Sequence, residues 1–552
     1  MNALWKATNA KNQSTRRRQS SWRKTTKLLS QLALLTVMSG SSVWPTAVSA
    51  QVTPPFVKEE TIAESIQPDS DDPIAQTSSV VQLTGHFGGF IPGTNRFLTY
   101  HYETDSSTLH DEQGREIAVV EGILQLFSPD GERFITYADG TTTDEAPLAY
   151  LYDAQGNEIA ALEGIGQAFS PDGQYLVTAN VAGATTNLYD VTGQKLTVLS
   201  GYFGNFSPNS QQVATFEVPS SQTSIPTEDV TEQAQTHLYT LADGNITTVT
   251  GAFSGFNAAG GSPEERLHQR IVTYGLNTPI TYLYDHTGRE LASFPGESPQ
   301  GFYSEESILA TIGDAADPNT PITRLYDHNG EELASLRGVL TNVDDSAMYF
   351  ITDDYQGTPL DLEDDIDYLY DRSGRQISAF PSQSYWVFTE GSDRLLGNSF
   401  NNATTAVYDV ATGNELATLD GMIGGIGPAE NQWVVYIEIE EESSHFYDSS
   451  ANKIRSLPGT FQQFSPSGEL TAVVEYWAEP DDGIAESRDV TSDAPLNIDY
   501  VLDPVTYLYD QAGHLVTSVE GISDSFSEDG SRVVTYDLTD SVYRLLIIGS
   551  SD

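Results

Sequence analysis

No cysteine occurs in the 552 residues of this chain. Disulfides, thiolate metal centres and a cysteine nucleophile are therefore excluded, whatever the redox compartment. Positive charge is scarce as well: 26 Lys and Arg stand against 78 Asp and Glu, a formal net charge of −52. Eight of those 26 lie in the first fifty residues, which contain no acid. Beyond residue 50 the balance is 18 against 78, a net of −60, with Lys58, Lys195 and Lys453 as the lysines. Such a field repels nucleic acid and anionic membranes, and it favours cations, basic partners or solvation in salt. No apolar run is long enough to span a bilayer. Catalytic signatures are thin too. There is no Gly-x-Ser-x-Gly elbow, and the nine histidines show no zinc spacing.

The basic start reads as an address. Arg16, Arg17, Arg18, Arg23, Lys24 and Lys27 precede an apolar stretch from Leu28 to Val37, and Ala47-Val48-Ser49-Ala50 follows. That order describes a secretory signal over residues 1–50, cleaved before Gln51. The expectation is an exported bacterial protein, periplasmic or at the cell surface. Residues 51–78 are rich in Pro, Glu, Asp, Ser and Gln and read as a disordered linker.

From residue 79 to 549 one phrase repeats with a period of about 40 residues. Phe127 to Gly131 reads FSPDG, Leu151 to Gly156 reads LYDAQG, and Phe169 to Gly173 reads FSPDG again. Taking the Phe as anchor, the equivalents are Phe90, Phe127, Phe169, Phe206, Phe256, Phe302, Val343, Phe388, Ile426, Phe464 and Phe526. Each of these eleven units reads as strands A, B, C and D. Pro-Asp-Gly links A to B, and Asp-x-x-Gly links C to D; both are hairpin signals. The fold class is therefore all-β, a β-propeller of about eleven four-stranded blades. The last unit ends at its strand C, whereas the first opens on a D-like strand, Val80 to Leu83. That strand completes the last blade and closes the array, which removes its free edges. Eleven exceeds the usual four to eight blades, so the units form either one wide ring or two rings, and the usual blade number leans towards two.

This pattern resembles the WD-repeat propellers and the FSPDG-centred blades of bacterial exported proteins, with Tyr-Asp where the family has Trp-Asp. The resemblance implies the propeller fold. It departs from the family in one respect: the Gly-His pair that opens many such repeats stands at that place once, at Gly85-His86, so the family's buried hydrogen-bond tetrad is not general here. The Leu283 to Arg289 segment is also similar to the Tyr-Asp repeats of secreted β-shell toxins, but those lack the FSPDG phrase.

Turn geometry places the short A–B and C–D turns on one face and the B–C loops on the other. The long B–C loops run from about Glu217 to Gln235, Asp353 to Asp367 and Glu475 to Asp503. Variable loops on a rigid scaffold are where binding resides, so the expected binding residues are Asp361, Glu363, Asp364, Asp365 and Asp367, with Trp477, Asp481 and Asp482. Clustered carboxylates are hard ligands, which makes Ca²⁺ the metal to test, although the spacing matches no EF-hand. Otherwise no cofactor is expected. His286 and His328 share a slot in the tight C–D turns and read as turn residues. Tyr152, Tyr284 and Tyr326 are expected to pack on neighbouring blades, and Asp153, Asp285 and Asp327 to cap their turns. The expected function is a non-catalytic binding or scaffold module whose acidic face takes a protein partner or a basic ligand. The rival is a glycan-active or lactonase-like hydrolase with a carboxylate and metal pocket at the ring centre.

Overall fold

A computed structural model describes residues 78–549, apart from 139–147, 181–183, 219–232, 258–268, 277–278, 304–307, 315–320, 355–364, 382–384, 400–401, 429–431, 438–442, 479–501 and 540. The expected secretory signal and nearly all of the expected linker lie outside the described residues. The rest is all-β, in eleven four-stranded antiparallel sheets arranged as the blades of one β-propeller. Blades 1 to 10 span residues 86–121, 123–163, 165–200, 202–250, 252–295, 297–337, 339–381, 385–420, 422–458 and 460–520. Blade 11 takes strands A to C from residues 522–547 and its strand D from Ser79–Leu83, which pairs antiparallel with Val542–Ile547. The N-terminal strand thus closes the array, as its sequence predicts.

The lean towards two rings is corrected. Each blade packs against the next in sequence, and blade 11 packs against blade 1. The reason is the length of the D–A junctions. A single residue, such as Gly122 between Glu121 and Ile123, separates most blades. So short a link can only step to the adjacent position in the same array.

The repeat phrases do the work that their chemistry predicts. Anchors such as Phe90, Phe127, Phe169 and Phe206 end the innermost strands of their blades. Gly131 takes φ +66°, and a Cβ there would lie 2.1 Å from the Pro92 carbonyl oxygen. Asp153 Oδ1 accepts the backbone N–H groups of Gln155 and Asn157, and Asp285 does the same for Thr287 and Arg289. Each turn therefore satisfies its own backbone. Tyr152 is 3 % exposed, and its hydroxyl meets the backbone of Glu121, the last residue of blade 1. Tyr284 reaches Thr250 of blade 4 in the same way. These struts and the apolar clusters between sheets make the core a set of inter-blade seams, such as the one containing Leu98, Leu109, Val120, Phe134 and Tyr152.

Two recurring devices were not anticipated. In eight blades a strand-C Ser or Thr, three residues before the Tyr position, donates its hydroxyl to a carbonyl at the D–A junction. Ser107 to Gly122, Thr186 to Gly201 and Thr506 to Gly521 are examples, at 2.6–3.1 Å. This bond ties strand C of each such blade to the junction that leads into the next. The second device bolts the tight-turn face. Arg96, Gln212, Arg270, Arg394 and Arg532, each at the start of a strand B, donate to a C–D turn carbonyl of the following blade. The acceptors include His286 and His328, whose carbonyls rather than imidazoles are used. Many of the few cations are thereby committed to the framework. At the seam of blades 11 and 1, Arg532 reaches Glu112, Gly93 N–H donates to Glu528, and the Asn95 amide donates to Asp529.

Candidate functional site on the variable-loop face

The two faces differ as predicted. The C–D turns are short, and so are the A–B turns except in blade 5, where residues 257–269 separate strands A and B; the two longest connections, 218–234 and 479–501, run between strands B and C on the opposite face. The loop limits are narrower than expected. In blade 10 the B and C strands extend to Ala478 and from Leu502, pairing over nine residues. Trp477 therefore belongs to a strand, with its backbone opposite Asp503, rather than opening the loop. Asp481 and Asp482 lie outside the described residues, as do Asp361, Glu363 and Asp364. Trp386 and Trp433 are buried within inter-blade clusters and offer no exposed aromatic surface.

Two of the expected binding residues are described, Asp365 and Asp367, and both are buried, at 3 % and 2 % exposure. They stand at the neck of the blade 7 loop, beside Asp353 and Asp354 at the end of strand B. Asp353 pairs directly opposite Asp367 across the sheet, and Asp354 lies opposite Ile366. Four carboxylates thus meet where one hairpin leaves the blade. Asp367 occupies the strand-C position that holds Ser or Thr in eight other blades. Instead of serving the junction carbonyl, its Oδ2 accepts the Trp386 indole N–H of blade 8 at 2.8 Å. Asp367 thus joins two blades through its side chain. Asp354 is fully buried and ion-paired with Arg337.

The electrostatic cost of this crowding falls on Asp353. Burial, then the charges of Asp367, Asp365 and Asp354, push its carboxyl up to about 7. The causes are general: low polarity disfavours the ion, and like charges within a few ångströms disfavour it further. Its Oδ1 has no hydrogen-bond partner. The turn carboxylates go the other way. Asp153, Asp285 and Asp371 lie below the usual carboxylate range, because the hydrogen bonds of their turns outweigh their partial burial. The result is one proton-holding carboxyl on the loop face and a set of firmly ionised ones on the other. Among the described residues no three His, Asp or Glu side chains are grouped so as to hold a metal ion.

Reading by sequence missed how the neck of the blade 7 loop is used. The available signal was Asp367 standing where Thr186, Thr236 and Thr281 stand in other units. A carboxylate at a position otherwise held by a buried hydroxyl announces a different bond.

No protein-family model matches this sequence, and no curated protein matches it. Among solved structures, the chain is similar to a eukaryotic initiation factor, at 14 % identity over 70 % of this chain and 96 % of that one, TM-score 0.38. It is also similar to a dihydro-haem d1 dehydrogenase, at 16 % identity over 65 % and 81 %, TM-score 0.30. The dipeptidyl peptidase 4 of Porphyromonas gingivalis matches at 14 % identity over 65 % of each chain, TM-score 0.35. At these values none of the likenesses bears on what this chain binds or does.

Proposed function

We propose that this chain is an exported binding or scaffold propeller, of the WD-like FSPDG type, which makes its contact through the acidic variable-loop face. The observation that carries the reading is the division of labour between the faces. On the tight-turn face, Asp side chains are consumed by their own turns and Arg side chains by the following blade. On the other face, loops of different length leave a rigid ring, and that is where specificity is built on repeat scaffolds. The net negative charge makes a protein with a basic patch, or a cationic ligand, the fitting partner. Calcium remains a ligand to test at the acids of 355–364 and 479–501.

The experiment shortens the three long loops, 219–232, 355–364 and 479–501, to two-residue Asn-Gly turns. Partner capture by the variant is compared with that of the parent and of a variant substituted at tight-turn residues. Capture lost only with the loops, at unchanged melting temperature, supports the reading. Capture insensitive to the loops overturns it, as does turnover of a glycoside or lactone substrate by the purified protein.

A further inference from the structure

Where the ring closes, blades 11 and 1 carry a side-chain group on the variable-loop face that the framework does not require. His86 opens the innermost strand of blade 1, Tyr100 lies near the end of the next strand, and Tyr102 follows it. Across the seam, Tyr543 lies at the start of strand C of blade 11. The His86 ring is 5.3 Å from Tyr100, nearly parallel at 22°, 5.3 Å from Tyr102 and 6.2 Å from Tyr543. Tyr100 and Tyr102 meet edge to face at 5.1 Å. This is a packed platform, not a cage, since rings this close leave no room for a group between them. Its outer surface is open: Tyr102 is 67 % exposed, and His86 is exposed beside it.

Beside the platform stands a carboxylate without a partner. Asp524 is the bulged residue of the innermost strand of blade 11, between the Ser523–Thr535 and Ser525–Val534 pairs. The same bulge position in blade 2 is Gln125, whose Oε1 accepts the N–H of Gly166, the second residue of the next blade's innermost strand; by that repeat geometry Asp524 faces the start of blade 1's innermost strand, beside His86. Among the described residues no ion pair or hydrogen bond engages its side chain, and the neighbouring Arg544 is committed to Glu520 and Asp537. The bulge position of nine other blades is held by Gly, Gln, Ser or Thr. A carboxylate at this place is thus peculiar to the seam, and neither the turns nor the blade packing uses it.

We propose that the seam binds a guanidinium group, presented by an arginine side chain of a partner, stacked on Tyr102 and His86 and hydrogen-bonded to Asp524. The platform selects a flat cation, because a planar guanidinium lies on an aromatic face and presents a fork of N–H donors at its edge. The lone carboxylate accepts that fork as a charge-assisted pair, and the phenol oxygens nearby are further acceptors. The negative field of the whole chain draws in such a ligand and disfavours an anionic one. This deepens the binding reading above by naming the chemistry of one place on that face. It stands on blades 11 and 1 rather than on the long loops, so the two fail independently.

The test uses the purified protein and small probes, read by saturation-transfer NMR and tyrosine fluorescence. Nα-acetyl-arginine amide is titrated beside the citrulline amide, its neutral near-isostere, and the lysine amide. The arginine probe is expected to bind at least 10-fold more tightly than the citrulline probe and several-fold more tightly than the lysine probe. Tyr102→Ala should weaken arginine binding by about 2–5-fold, the size of one exposed cation–π contact. Asp524→Asn should weaken it by 5-fold or more, and Gln167→Ala on blade 3 should leave it unchanged. Both seam positions are exposed, so these variants are expected to melt with the parent; if one does not, the other decides. Equal binding of arginine and citrulline probes, equal binding of arginine and lysine probes, or unchanged binding in both seam variants overturns the assignment. Arginine binding that disappears on loop shortening while Asp524 is intact also overturns it, yet leaves the loop-face reading standing.

Discussion

Asp353→Asn isolates the price of crowding four carboxylates at the blade 7 neck. Paired residues on neighbouring strands have Cβ atoms about 5 Å apart. Two unit charges at that distance repel by about 3 kcal/mol at an effective dielectric constant of 20. The position of the Asp353 carboxyl, about 7 against 3.8 for an unperturbed group, points the same way. The side chain is partly exposed, so solvent screening brings the expected effect to about 2–3 kcal/mol. The folded protein keeps this proton up to about pH 7, whereas the unfolded chain releases it near 3.8. Between those values the folded state holds more protons, so stability is fully present below pH 4 and declines as pH rises through 7, by at most about 1.4 kcal/mol per pH unit. Asn carries no charge to repel. Urea unfolding of parent and variant at pH 4.5, 6, 7 and 8 should show curves that diverge as pH rises, with Asp353→Asn the more stable at pH 8. A gap between the curves that does not change with pH, or a variant less stable at pH 8, would refute the argument that repulsion dominates at this neck.

Four further outcomes follow from the same structure. Below pH 4 the sign reverses: the turn carboxylates Asp153, Asp285 and Asp371 are held below their ordinary range, so stability falls as they protonate, and acid titration by circular dichroism should show this loss. Glu297→Ala, which strips the partners from Arg324 and Tyr326 at the seam of blades 5 and 6, should cost about 3–5 kcal/mol by leaving a largely buried cation unpaired. Leu83→Ala, in the strand that closes the ring, should cost about 2–5 kcal/mol because Leu83 is 4 % exposed among Phe97, Val534 and Leu545; limited proteolysis should then cut first at the seam of blades 11 and 1. Thr186→Val removes one buried hydroxyl bond to Gly201 and should cost about 1 kcal/mol in chemical denaturation.

The local parts of this protein were legible before any coordinates. Pro-Asp-Gly and Asp-x-x-Gly make hairpins through their own φ angles and side-chain caps, so strands, turns and blade count follow from short-range chemistry. The closing strand was legible as well, because an unpaired D strand at one end matches a missing D strand at the other. Only the tertiary structure decided that the ring is single, since that depends on every seam packing at once. It also decided what the acids do. Asp365 and Asp367 carry the same signal of charge and loop position in the sequence as Asp361 and Glu363, yet the fold draws these two inside, where Asp367 pairs with the Trp386 indole 19 residues away. The seam group is invisible in sequence for the same reason. His86, Tyr100 and Tyr102 are joined to Asp524 and Tyr543 by more than 400 residues of chain, and nothing but closure of the ring brings them to one surface. Charge and turn chemistry are properties of neighbours along the chain. Burial, pairing and the unmatched carboxylate are properties of neighbours in space.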